Sequence, residues 1–280
     1  MWMQILIGAG LAAFGDAFPV TWGSTPLRKA NEEGFYESTL RSGIYYATNP
    51  NPRTGAYFFP EQVERHAVKV FIPGLVRSDR AYIGRVIASM REWREYEASV
   101  NRLYSLEAEG AATAEGRPHM TPALEWWWEN SMLLRDVTMR RYAIHVQTYA
   151  SLLADPQKVI SETVKWLGFG DAKAALQKVK PENRHFDKPE SNGLEPDVAA
   201  VADELYDVLH TRRGLSKAFL AKVDETTQTL APRFQEELRR VAAERRRRRA
   251  AGAVIEADAV GVALGESTAG PEPVSSKPVS

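Results

Sequence analysis

Arg85-Val-Ile-Ala-Ser-Met-Arg-Glu-Trp-Arg-Glu-Tyr-Glu-Ala-Ser99 is the stretch whose residue types and spacing could do chemistry. An apolar run at 85–90 leads straight into Arg91, and helix-forming composition begins at Trp93. In an open α/β sheet, ligands gather beyond the carboxyl ends of the strands, so Arg91 would emerge where an anion binds. Its guanidinium fork can hold a phosphate through two charge-assisted hydrogen bonds, and Ser99 can add a hydroxyl donor from the following helix. The same residues permit a plainer arrangement, in which Arg91 and Arg94 pair with Glu92, Glu95 or Glu97 on the surface.

Composition narrows the other chemistries. The chain has 36 basic and 36 acidic residues, so no global field draws it to nucleic acid, and any anion site must be local. It has no cysteine, and its five scattered histidines form no HExxH or paired spacing, so no metal site is expected. His119 lies among turn residues and His145 in a predicted strand, where a structural role is expected. Trp126, Trp127 and Trp128 cannot all face one side of a helix, because adjacent residues are about 100° apart. They can flank an acceptor pocket, pack internally or meet another subunit. Arg245 to Arg249 read as a solvated helix end rather than a binding site for RNA or acidic lipid.

Several elements must position these residues. Met3 to Leu11 reads as a buried helix, with a strand as the alternative, and 15–60 as mostly loop with a short helix near Thr25 to Ala30. Ala67 to Ile72 reads as a strand ended by Pro73-Gly74, and Arg85 to Met90 as a second strand followed by a helix over Trp93 to Leu106. Ala123 to Arg141 is helical, and Ala143 to Thr148 is a strand. Asp155-Pro156 opens a helix that Gly168 ends, since Asp caps exposed amides and Pro fits the first turn. Asp171 opens a short helix, and Val198 to Leu209 forms another. From Leu215 to Arg249 the apolar positions recur at helical spacing, giving a helix about 50 Å long. Such a helix is expected to project beyond a compact domain or to pack against a partner.

Arg91, with Ser99 eight residues later, resembles the segment of sulfotransferases that binds the 3'-phosphate of PAPS. Tyr149-Ala-Ser-Leu-Leu-Ala-Asp-Pro156, continuing to Trp166-Leu-Gly168, looks like that family's strand-loop-helix signature. Asn31-Glu-Glu-Gly-Phe-Tyr-Glu37 resembles a segment of bacterial sulfotransferase-like proteins. The likeness spans roughly Met1 to His185. It implies a P-loop-hydrolase-like three-layer α/β fold with a mostly parallel sheet, and sulfuryl transfer from PAPS to a hydroxyl or amine of a small-molecule or glycan acceptor. It assigns Arg91 and Ser99 to the 3'-phosphate, and makes Glu33 and Glu37 candidate general bases, with helix-surface or capping carboxylates as the plainer reading. Arg184 and His185 lie where relatives add cofactor contacts, yet they read as polar loop residues.

The family's Gly/Ser/Thr-rich basic phosphate loop has no counterpart here, because Met1-Trp-Met-Gln-Ile-Leu resembles the helix that follows it. The expectation is a late start or a degenerate member, inactive as it stands. The reading divides the chain into a sulfotransferase-like domain at 1–212, a long helix at 213–249 and a disordered tail at 250–280. It expects a cytoplasmic protein with no membrane span. The alternative is a noncatalytic interaction module that uses the aromatic cluster and the long helix, in a homo-oligomer or with a helical partner.

Overall fold

The computed structural model describes residues 1–18, 26–52, 54–109, 118–183 and 189–250. The residues proposed as a terminal tail lie outside these from 251 onward, and Arg184 and His185 lie outside them too. Strands β3 (Arg85–Met90) and β4 (Ala143–Thr148) have the bounds that their apolar runs predict. They pair in parallel from Arg85↔Ala143 to Met90↔Thr148. Parallel partners need a long return connection, and α3 (Trp93–Glu109) with α4 (Pro122–Arg140) provides it.

A second parallel pair joins β1 (Ala12–Phe14) to β2 (His66–Val68). Among the described residues the result is a mixed α/β fold with two small parallel sheets. The expected helix near the start is α1 (Trp2–Gly8), and the chain turns at Gly10, where φ is +103°. The strand expected over 67–72 is shorter than its composition suggests. Pro73 sits in the first turn of α2 (Ile72–Arg77), where its missing N–H has no helical partner to lose. Gly74 faces the backbone of Arg41 and Gly43 so closely that a Cβ would lie 2.6 Å and 2.7 Å from their atoms. Pro73-Gly74 therefore opens a helix instead of ending a strand.

Beyond β4 come α5 (Tyr149–Ala154), α6 (Pro156–Leu167), α7 (Ala172–Leu176), α8 (Pro196–His210) and α9 (Lys217–Ala250). Asp155 accepts from the Lys158 amide at 3.0 Å and caps α6, while Gly168 ends that helix with φ +76°. Ile5, Leu152, Ile160 and Ala175 form one core, in which α1, α5, α6 and α7 meet β2. A second core joins α3, α4, α8 and α9 around Trp93, Leu124, Trp127 and Leu205.

That second core decides what the tryptophans and the long helix do. Trp126 and Trp127 are buried, and Trp128 stacks on Phe234 of α9 with ring centroids 3.8 Å apart. The cluster is thus used in packing within the chain. Phe219, Val223, Leu230 and Val241 are buried along α9, and Arg240 reaches back to donate to the His119 carbonyl at 2.7 Å. Phe219, Val223, Leu230 and Phe234 of α9 pack into the core shared with α4 and α8, while Leu238 of the same stripe is 45 % exposed.

Replacing the α6 cap, Asp155→Ala, leaves the Lys158 amide without its partner. The expected cost is about 1 kcal/mol, read by scanning calorimetry as a fall of about 3 °C in Tm. An unchanged Tm would contradict the capping role.

Candidate functional site

A cavity of ≈ 990 Å³ lies between the two strand pairs. Lys69 immediately follows β2 and Arg91 immediately follows β3, and both side chains belong to residues that line it. Both cations lie near enough to the Met1 amine to act on it. Burial first, then the Lys69 ammonium and, more weakly, the Arg91 guanidinium lower the Met1 amine to about 6, against an opposing pull from Glu33. Sequence reasoning missed Lys69, although a cation directly after a β-branched strand is the signal that singled out Arg91.

The surface ion pairing set against Arg91 is realised by its neighbour instead. Arg94 binds Glu92 at 2.8 Å and Asp203 of α8 at 2.6 Å, and Trp93 Nε1 donates to the same Asp203 oxygen at 2.8 Å. Those contacts, the hydrogen bond to Asp203 first, raise the Arg94 pKa and hold it charged. Glu92 also accepts from the Arg94 and Glu95 amides, both at 3.0 Å, which starts α3. Among the described residues no ion pair engages Arg91. Its guanidinium lies 4.5 Å from the centroid of the Tyr149 ring, and its carbonyl accepts from Trp126 Nε1 at 2.9 Å. This leaves the donor fork of Arg91 available to a ligand anion.

Ser99 is half-buried on α3, about 9 Å along the helix axis from Trp93, and it does not line the cavity. Glu37 is buried with both oxygens engaged, one by Arg41 and the other by Lys69 at 2.9 Å. That arrangement suits an anchoring carboxylate that holds Lys69 in place. Glu33 pairs with Lys180, and neither residue lines the cavity. His119 stacks on Tyr104 and meets Glu107 at 2.8 Å. His145 stacks on Trp166, and burial followed by Arg212 lowers its pKa, so it favours the neutral ring. Neither histidine lines the cavity. Among the described residues no group of three or more His, Cys, Asp or Glu could hold a metal ion, and no helix is long and apolar enough to cross a membrane.

A second titratable set lies between α3 and α4. Glu125 and Glu129 are one helical turn apart on α4, beside Tyr96 and Tyr104 of α3. Burial raises the pKa of Glu125, and burial with the adjacent Glu125 charge raises Glu129 to about 8. Burial likewise lifts both tyrosines well above their ordinary range. Glu129 is therefore protonated at neutral pH, which no feature of the sequence pattern foretold.

The folded value for Glu129 lies above the unfolded one, about 4.3. Its stabilising contribution is complete below the unfolded value and is lost as pH rises through about 8. In urea denaturation between about pH 5 and about pH 9, Glu129→Gln should lose less stability than the parent chain. Parallel pH profiles would contradict the raised value. Compared with known proteins, the chain matches no family model, no curated protein and no solved structure.

Proposed function

We propose that this chain is a sulfotransferase-like protein that binds PAPS and serves sulfuryl transfer to an acceptor hydroxyl or amine. The observation that carries the reading is Arg91, which leaves a parallel strand at the rim of a cavity with no ion pair among the described residues. In this reading the two strand pairs are parts of one three-layer sulfotransferase sheet. Arg91 grips the 3'-phosphate of PAPS, with Ser99 adding a hydroxyl donor and Lys69 adding positive potential at the same end. These residues orient the donor and leave the bond-changing step to other groups.

In that step the acceptor oxygen or nitrogen attacks sulfur, and the bond from sulfur to the bridging phosphate oxygen breaks. Adenosine 3',5'-bisphosphate leaves with the electron pair, and a general base takes the acceptor proton. Of the two candidate carboxylates, Glu37 is committed to Arg41 and Lys69, while Glu33 has one exposed ion pair with Lys180. Glu33 is thus the candidate with less to give up. The Gly/Ser/Thr-rich basic loop that would stabilise charge on the sulfuryl group has no counterpart in the sequence. Nucleotide binding, rather than turnover, is therefore the direct test.

Isothermal titration with adenosine 3',5'-bisphosphate should show saturable binding. Losing a bidentate charge-assisted contact in Arg91→Ala should weaken it about 10- to 100-fold, and Ser99→Ala should weaken it about fivefold, as for a single neutral donor. Equal affinity in the parent and Arg91→Ala would overturn the assignment.

A further inference from the structure

The cavity touches its strands in a way that a small-molecule pocket would not. Successive side chains of a strand point to opposite faces, so a pocket on one face of a sheet is lined by alternate residues. Here every residue from Val63 to Val70 and every residue from Ala81 to Arg91 lines the cavity. Contact with consecutive residues means that the cavity lies along the strand edges. One edge of β2 is taken by β1 and one edge of β3 by β4, and no residue of β1 or β4 lines the space. Among the described residues the other edges of β2 and β3 have no strand partner, and they look into one groove from opposite sides, each with its row of backbone donors and acceptors.

Two further observations fit a missing occupant. Strands of parallel sheets are ordinarily buried on both faces, yet Val86, Ile87 and Ala88 of β3 are only half-buried. On α1, which forms another wall, Trp2 Nε1 and Gln4 Oε1 are buried without hydrogen-bond partners, and Gln4 is 7 % exposed.

The geometry points to a docking groove for one extended peptide strand of about six residues, apolar on both side-chain faces, inserted between β2 and β3 by backbone pairing. The occupant runs parallel to both strands, because its carboxyl end then meets the cations Lys69 and Arg91. It would turn two two-stranded sheets into one five-stranded sheet. This inference does not rest on the sulfuryl-transfer reading: the strand edges carry it, and Arg91 enters only in setting the direction of the occupant.

The probe is a synthetic peptide of about six residues, rich in Val and Ile, with one Lys at its amino end for solubility and a free carboxylate. Hydrogen exchange of the full chain, read by mass spectrometry with increasing peptide, should show saturable slowing of at least about tenfold in segments 63–70 and 83–91. Exchange in α8 should stay unchanged. The same peptide N-methylated at alternate amides keeps its side chains but lacks edge donors, and it should give no protection. Three results would overturn the proposal: no protection by the parent peptide, equal protection by the methylated one, or protection that follows chain concentration together with dimer formation in sedimentation. The last would assign the edges to a second copy of the chain.

Discussion

Parallel pairing of β3 with β4 is the constraint on which the rest depends. A strand cannot pair in parallel with its successor until the chain has returned to the starting end, and α3 and α4 occupy that return. The register then determines the site. With Met90 opposite Thr148, the next two residues leave the same end of the pair, so Arg91 and Tyr149 meet as cation and ring at 4.5 Å. A slip of one residue would turn every side chain of the strand to the other face. The hydrogen bond from Trp126 to the Arg91 carbonyl fastens this exit to α4, within the core that also holds α8 and α9.

Charge is distributed around this frame unevenly, and the unevenness carries the functional argument. Glu37 binds both Arg41 and Lys69, while Asp203 binds Arg94 and the indole of Trp93. An ion pair in a half-buried setting is retained because breaking it would leave a charge desolvated and unpaired. Arg94 and Arg41 are therefore structural. Arg91 has an aromatic face instead of a carboxylate, a contact that steadies the guanidinium plane while leaving its donors available. Between α3 and α4 the imbalance has the opposite sign: Glu125 and Glu129 stand one turn apart, and burial raises the pKa of both.

Local chemistry made a good part of this fold legible. The strands at 85–90 and 143–148 have the predicted bounds, because apolar runs closed by polar residues are local signals. Asp155-Pro156 and Gly168 act through amides within four residues, and they start and stop α6 as their types require. Pro73-Gly74 shows where that legibility ends. The dipeptide suits either a strand's end or a helix's first turn, and the close approach of Gly74 to the backbone at 41–43 selects the helix.

By itself the sequence determined that an arginine follows a strand, that three tryptophans share a helix, and that a long apolar stripe runs from Leu215 to Val241. Tertiary structure decided which arginine keeps its donors, since the competitor at 94 is neutralised by a residue 109 positions away. It placed Trp128 against Phe234 and so gave α9 its cover within the chain. It also brought Lys69 to the same end of a cavity as Arg91, and left two strand edges facing one another across it. The physical reason is range. Caps, turns and strand composition act over a few bonds, whereas ion pairs, ring stacking and unpartnered edges exist only once distant segments have been brought together.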